Sequence, residues 1–87
     1  MQDYKTEILE MICYTDLVYQ RINKKLNMAL KKDAMEKMIY EIIKETDLSK
    51  FQKTGKNIYI SNNQRNIRLT INSHTHRIIT VDRLNKQ

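Results

Sequence analysis

Residues 55–84 read GKNIYISNNQRNIRLTINSHTHRIITVDRL, and within them apolar side chains recur at every second position. Ile58 and Ile60 alternate with Asn57, Tyr59 and Ser61, while Ile67, Leu69 and Ile71 alternate with Asn66, Arg68, Thr70 and Asn72. Ile79 and Val81 alternate in turn with Ile78, Thr80 and Asp82. A period of two in segments rich in Ile, Thr and Tyr is that of half-buried β-strands. The joints SNNQ and NSHT are rich in Asn and Ser, which bond their own backbone, and Asn tolerates positive φ. The spacing predicts three strands, over about 57–61, 65–72 and 76–82, in an antiparallel meander.

A slip of one residue turns every side chain of a strand to the other face, so the hydrophobic sets select a register. The expected pairs are Ile60 with Ile67, Ile58 with Leu69, Leu69 with Ile79 and Ile67 with Val81, leaving Ser73, His74 and Thr75 as a loop. The opposite face then carries the rows Tyr59, Arg68, Thr80; Asn57, Thr70, Ile78; and Ser61, Asn66, Asp82. That face is expected to be polar and positively biased.

Upstream the period is helical. Tyr4, Ile8, Met11 and Ile12 form one stripe with Asp3 placed to cap it, and Leu17, Val18, Ile22 and Leu26 form a second after Thr15, with Gln20, Asn23 and Lys24 toward water. Asp33 and Glu36 have the spacing of a reciprocal capping pair, ahead of Met35, Met38, Ile39, Ile42 and Ile43. Helices are expected over about 3–13, 15–27 and 33–46, with Phe51 as a core plug and residues 51–56 as a Lys-rich joint. The expected architecture is α+β: two to three N-terminal helices packed on one face of a C-terminal three-stranded antiparallel meander, as a single domain over residues 1–87.

The 87-residue chain has one Gly, no Pro, 40% hydrophobic and 30% charged residues, enough apolar material for a core and too little Gly or Pro for a low-complexity chain. Its longest apolar run, residues 11–14, is far below the roughly 20 residues that span a bilayer. The opening MQDYKTEILE has no secretory pattern, so a cytoplasmic location is expected. Sixteen basic residues against ten acidic give a net charge of +6. Residues 1–47 hold eight basic and nine acidic residues, whereas residues 48–87 hold eight basic residues and Asp82 alone. An asymmetry of that kind attracts polyanions.

The candidate binding residues are therefore Tyr59, Arg68, Thr70, His76, Arg77 and Thr80. Arg68 and Arg77 supply guanidinium forks for phosphate, and Tyr59 is the face's one aromatic for stacking. His74 and His76 make an H-x-H at a hairpin tip, two ligands where a zinc site needs three or four, so no metal and no cofactor is expected. As catalytic groups the histidines would need a completing residue from Arg77 or a neighbouring helix. Cys13 has no partner for a disulfide and reads as a buried thiol of the first helix. The last strand is rich in β-branched residues and lacks Pro or Lys, so strand addition or a homodimer is expected there, with Ile78 and Thr80 at the contact.

At ICYTDLVYQRINKKLN (residues 12–27) and again over residues 55–84, the chain resembles a family of short uncharacterised proteins, a domain of unknown function from low-GC Gram-positive bacteria. The resemblance covers nearly the whole chain. It implies one compact cytoplasmic domain and lends no catalytic residues. The leading expectation from the residues is a small non-enzymatic binding module whose basic sheet face contacts an anionic partner, RNA or DNA among them. The alternatives are a toxin-like small ribonuclease and a protein-interaction factor or inhibitor without nucleic-acid contact.

Overall fold

The computed structural model describes residues 4–84. Three helices, α1 (Tyr4–Met11), α2 (Asp16–Leu26) and α3 (Lys32–Glu45), precede a 3-10 turn (Leu48–Lys50) and four strands. These are β1 (Phe51–Thr54), β2 (Asn57–Asn62), β3 (Ile67–Asn72) and β4 (Ile78–Arg83), hydrogen-bonded in the order β1-β2-β3-β4 with every pair antiparallel. The chain is α+β, as the change of period predicts, but the sheet has four strands where three are expected. The extra one is FQKT, part of the stretch read as a joint. Its one core contact is the half-buried Phe51, opposite Ile60, while Gln52, Lys53 and Thr54 are exposed, so no apolar alternation announces it. Gly55 makes the strand possible. With φ +61 at the first central position of the two-residue loop Gly55, Lys56, it matches the turn that antiparallel strands prefer.

The register differs from the expected one by two residues in both remaining hairpins. Ile60 pairs with Leu69 and Ile58 with Ile71, because Asn62 still pairs with Ile67 and the turn is residues 63–66, closed by Asn66 at φ +60. In the next hairpin Leu69 pairs with Val81 and Ile71 with Ile78, the ladder shifting by one residue between Thr70 and Ile71. This bulge corrects the placement of Ile78. Instead of standing on the wet face, Ile78 is 2% exposed, opposite Ile71 in the core. A shift of two leaves the faces unchanged. Ile58, Ile60, Ile67, Leu69, Ile71 and Val81 are all buried against the helices.

Helix α3 lays Met35, Ile39, Ile42 and Ile43 into this core, and α2 contributes Val18, Ile22 and Leu26. Helix α1 packs against α3, and α2 against β4. Leu17 departs from the expected stripe at 73% exposed, one position off the inward row. The expected capping residues behave differently too. Asp3 lies outside the described residues; Thr15 is the N-cap of α2 without a side-chain bond; and α3 starts one residue early, capped by Lys31. Asp33 Oδ1 accepts only from the Ala34 amide, and Glu36 turns outward to accept the Tyr19 hydroxyl at 2.5 Å. The Tyr19 ring stacks on Tyr14 with centroids 5.4 Å apart. Burial and the Glu36 carboxylate push the Tyr19 hydroxyl up to about 12.

Asn23, expected toward water, pins the link between α2 and α3: its Nδ2 donates to the Leu30 carbonyl and its Oδ1 accepts the Leu30 amide, both at 3.0 Å. Asn23→Ala should therefore cost about 1–2 kcal/mol in urea unfolding. Gln20→Ala, at an exposed position on the same helix, should change stability by no more than about 0.5 kcal/mol.

Cys13 is not in a helix and is not buried. It lies exposed in the extended link between α1 and α2, where it forms a parallel bridge with Arg77. Its amide donates to the His76 carbonyl at 2.9 Å and its carbonyl accepts the Ile78 amide at 3.1 Å. The start of β4 is thus partnered within the chain rather than bare, and α2 runs beside the strand down to the Lys25 to Asp82 ion pair at 2.7 Å.

Candidate functional site

The turn between β1 and β2 and the turn between β3 and β4 leave the sheet at the same end, and the Ser73 amide donates to the Lys56 carbonyl at 2.7 Å to tie them together. The second turn is built by Asn72, whose Oδ1 accepts the amides of His74 at 2.8 Å and Thr75 at 2.9 Å. His76 then takes a left-handed conformation, φ +59, uncommon outside glycine. Its amide donates to the Asn72 carbonyl at 2.9 Å, and its imidazole meets helix α1, with Nε2 2.7 Å from Glu7 Oε2. The imidazole is 11% exposed and the Glu7 side chain 45%.

Around this pair lies a cleft of about 210 Å³. Tyr4 and Glu7 wall it from α1, Lys53 from β1, and Ser73, His74 and His76 from the second turn. His74 is exposed. The Ser73 hydroxyl oxygen is buried with no hydrogen-bond partner among the described residues. Glu7 lies 69 residues from His76 in the chain, so the cleft exists only because α1 packs over the hairpin end.

The sequence-predicted binding residues do not converge on one surface. Tyr59, Arg68, Thr70 and Thr80 share the outer face, where Tyr59 pairs with Thr70 and Thr70 with Thr80. The Arg68 guanidinium lies over the Tyr59 ring, 5.6 Å from its centroid, a favourable arrangement for cation and quadrupole. Thr70 is buried at 6% exposure, and the Thr80 hydroxyl oxygen is buried without a partner among the described residues. Among the outer-face strand positions Arg68 is the one cation, and Asp82, the one anion, stands directly opposite it. His76 belongs to the cleft, Arg77 to a groove with Leu17, Arg21 and Ile79 beside α2, and Ile78 to the core.

Residues 6–82 match the model of DUF3781, described as a protein of unknown function. The chain belongs to this family. No curated protein and no solved structure matches it. In this DUF3781 chain, among the described residues, no three His, Cys, Asp or Glu side chains gather in a form that could hold a metal ion, and no helix is long and apolar enough to cross a membrane.

Of the remaining cations of the DUF3781 sheet and its turns, Arg65 and Arg83 are engaged. The Arg65 guanidinium grips Glu45 through Nε at 2.7 Å and a second nitrogen at 3.1 Å, a bidentate pair that holds the Glu45 carboxyl below its ordinary range. An Arg83 nitrogen donates to the Leu26 carbonyl at 3.1 Å, closing the end of α2. Lys53, on β1 at the cleft, and Lys56, on the first turn, make no ion pair with a described residue.

Proposed function

We propose that this protein binds an anionic partner, a nucleic-acid strand being the polyanion that fits best, through the two-turn end of its sheet. The observation that carries this reading is the tied pair of turns, with Lys53 and His74 lining a cleft and Lys56 on the adjoining turn, none of them ion-paired with a described residue, while Arg65 and Arg83 are engaged within the chain. Ammonium groups not neutralised internally are those that release counterions from a phosphate backbone. Arg68 and Tyr59 on the outer face make a secondary contact, limited by the facing Asp82. A cytoplasmic location goes with this reading.

The test is affinity for a single-stranded oligonucleotide as a function of salt. Removing one ammonium group from a phosphate should flatten the slope of log K against log salt by about 0.7. Lys53→Ala and Lys56→Ala together should therefore reduce it by about 1.4, and Arg68→Ala should reduce it less than either lysine. An unchanged slope in the double variant would defeat the proposal.

A further inference from the structure

Helix α1 supplies what the sequence lacked for chemistry at the hairpin tip. His76 is held by a carboxylate, buried among α1 and two turns, and fixed in a backbone conformation that costs free energy, a combination found where a side chain must keep one orientation. A second imidazole, His74, and an ammonium, Lys53, line the same cleft. Resting on the nucleic-acid reading above, we propose that the cleft cleaves RNA by transesterification at the 2′-hydroxyl.

In this step neutral His76 removes the proton of the ribose 2′-hydroxyl, and the 2′-oxygen attacks the adjacent phosphorus. The bond from phosphorus to the 5′-oxygen breaks, and that oxygen takes a proton from His74 in its imidazolium form. The products are one strand ending in a 2′,3′-cyclic phosphate and one beginning with a 5′-hydroxyl. The two imidazoles finish with exchanged protonation states and return to the starting state through solvent, so no co-reactant is consumed. Lys53 offsets the charge gathering on the phosphoryl oxygens. Glu7 touches no reacting atom; it is a positioning residue that orients the imidazole and stabilises it as it gains the proton.

The experiment uses a mixed-sequence RNA oligonucleotide and its 2′-O-methyl counterpart, both in EDTA. Wild-type protein should bind both strands and cut only the first, leaving cyclic phosphate ends. His74→Gln, at an exposed position, and His76→Asn, which tolerates positive φ, should each lower the rate by about 10²- to 10⁴-fold with an unchanged circular-dichroism spectrum. Glu7→Gln should lower kcat and leave KM unchanged. Binding of both strands with the RNA left intact would overturn the cleavage proposal and leave the binding reading standing, whereas absence of binding to either strand would overturn both. Cleavage that persists in His74→Gln and His76→Asn, or that requires added Mg²⁺, would also overturn it.

Discussion

Leu69→Ala is expected to lower the free energy of unfolding by about 2–5 kcal/mol, through lost transfer energy and the cavity left behind. Leu69 is fully buried on the inner strand β3, between Ile60 on β2 and Val81 on β4, facing the helices. An 87-residue domain has on the order of 4–13 kcal/mol of stability in all, so this single truncation removes a large part of it. Urea unfolding should show the midpoint fall with little change in slope, the mark of lost stability rather than of an altered unfolded state. Leu17→Ala removes the same atoms from a side chain that is 73% exposed and should change stability by no more than about 0.5 kcal/mol. A loss below about 1 kcal/mol for Leu69→Ala would contradict its place at the centre of the sheet.

The contrast between those two leucines marks what the sequence could show. Alternation in β2 and β3 identified the buried face, and it did so despite wrong pairings, since an error of two residues preserves the parity of every side chain. The pairings themselves depend on the turns. Asn66 and His76 both adopt positive φ, and each turn takes up more residues than the shortest loop compatible with the apolar pattern. Nothing in the period marks the bulge after Thr70, which carries Ile78 inward, and FQKT has no period at all; Gly55 was its one signal. For the helices, period identified the core, but Leu17 and Val18 are adjacent apolar residues on neighbouring faces, and only packing decides which turns in.

The site was less legible for a different reason. Composition locates charge along the chain, but a cation matters to a partner only if the fold leaves it unpaired. Arg65 and Arg83, part of the C-terminal excess, are spent on Glu45 and the Leu26 carbonyl, whereas Lys53 and Lys56 make no ion pair with a described residue. The H-x-H was visible, yet its two histidines meet different fates: one is exposed, and the other is bound to a glutamate 69 residues away. No local spacing encodes that pair.

Asn62 illustrates the same point and leads to the second large effect. Position 62 continues the inward row of Ile58 and Ile60, but the side chain is an amide, 5% exposed, with all of its bonds internal. Its Nδ2 donates to Thr46 Oγ1 at 2.9 Å and Glu45 Oε2 at 3.0 Å, and its Oδ1 accepts the Arg65 amide at 2.9 Å. The Thr46 hydroxyl in turn donates to the Ile42 carbonyl at 2.6 Å, so one residue joins the end of α3 to the turn after β2. Asn62→Ala strands the Arg65 amide and should cost about 1–3 kcal/mol. Asn62→Asp keeps the shape but sets a second carboxylate against Glu45, and its cost should exceed that of alanine at pH 7.

The two variants separate by pH. In the wild type the Arg65 bond, and after it the Asn62 bond, hold the Glu45 carboxyl below its unfolded value. Its stabilising contribution is therefore complete above the unfolded value and is lost as pH falls through the folded one. In Asn62→Asp the paired carboxylates raise a proton affinity instead, so the penalty shrinks as acid supplies that proton. Unfolding curves at pH 7 and pH 4 should bring Asn62→Asp closer to the wild type at the lower pH, while Asn62→Ala, which adds no titrating group and lacks only the Asn62 share of the Glu45 shift, should recover less. If Asn62→Asp is as stable as the wild type at pH 7, the amide does not donate to Glu45, and the join between α3 and β2 has to be sought in Thr46 and Arg65 alone.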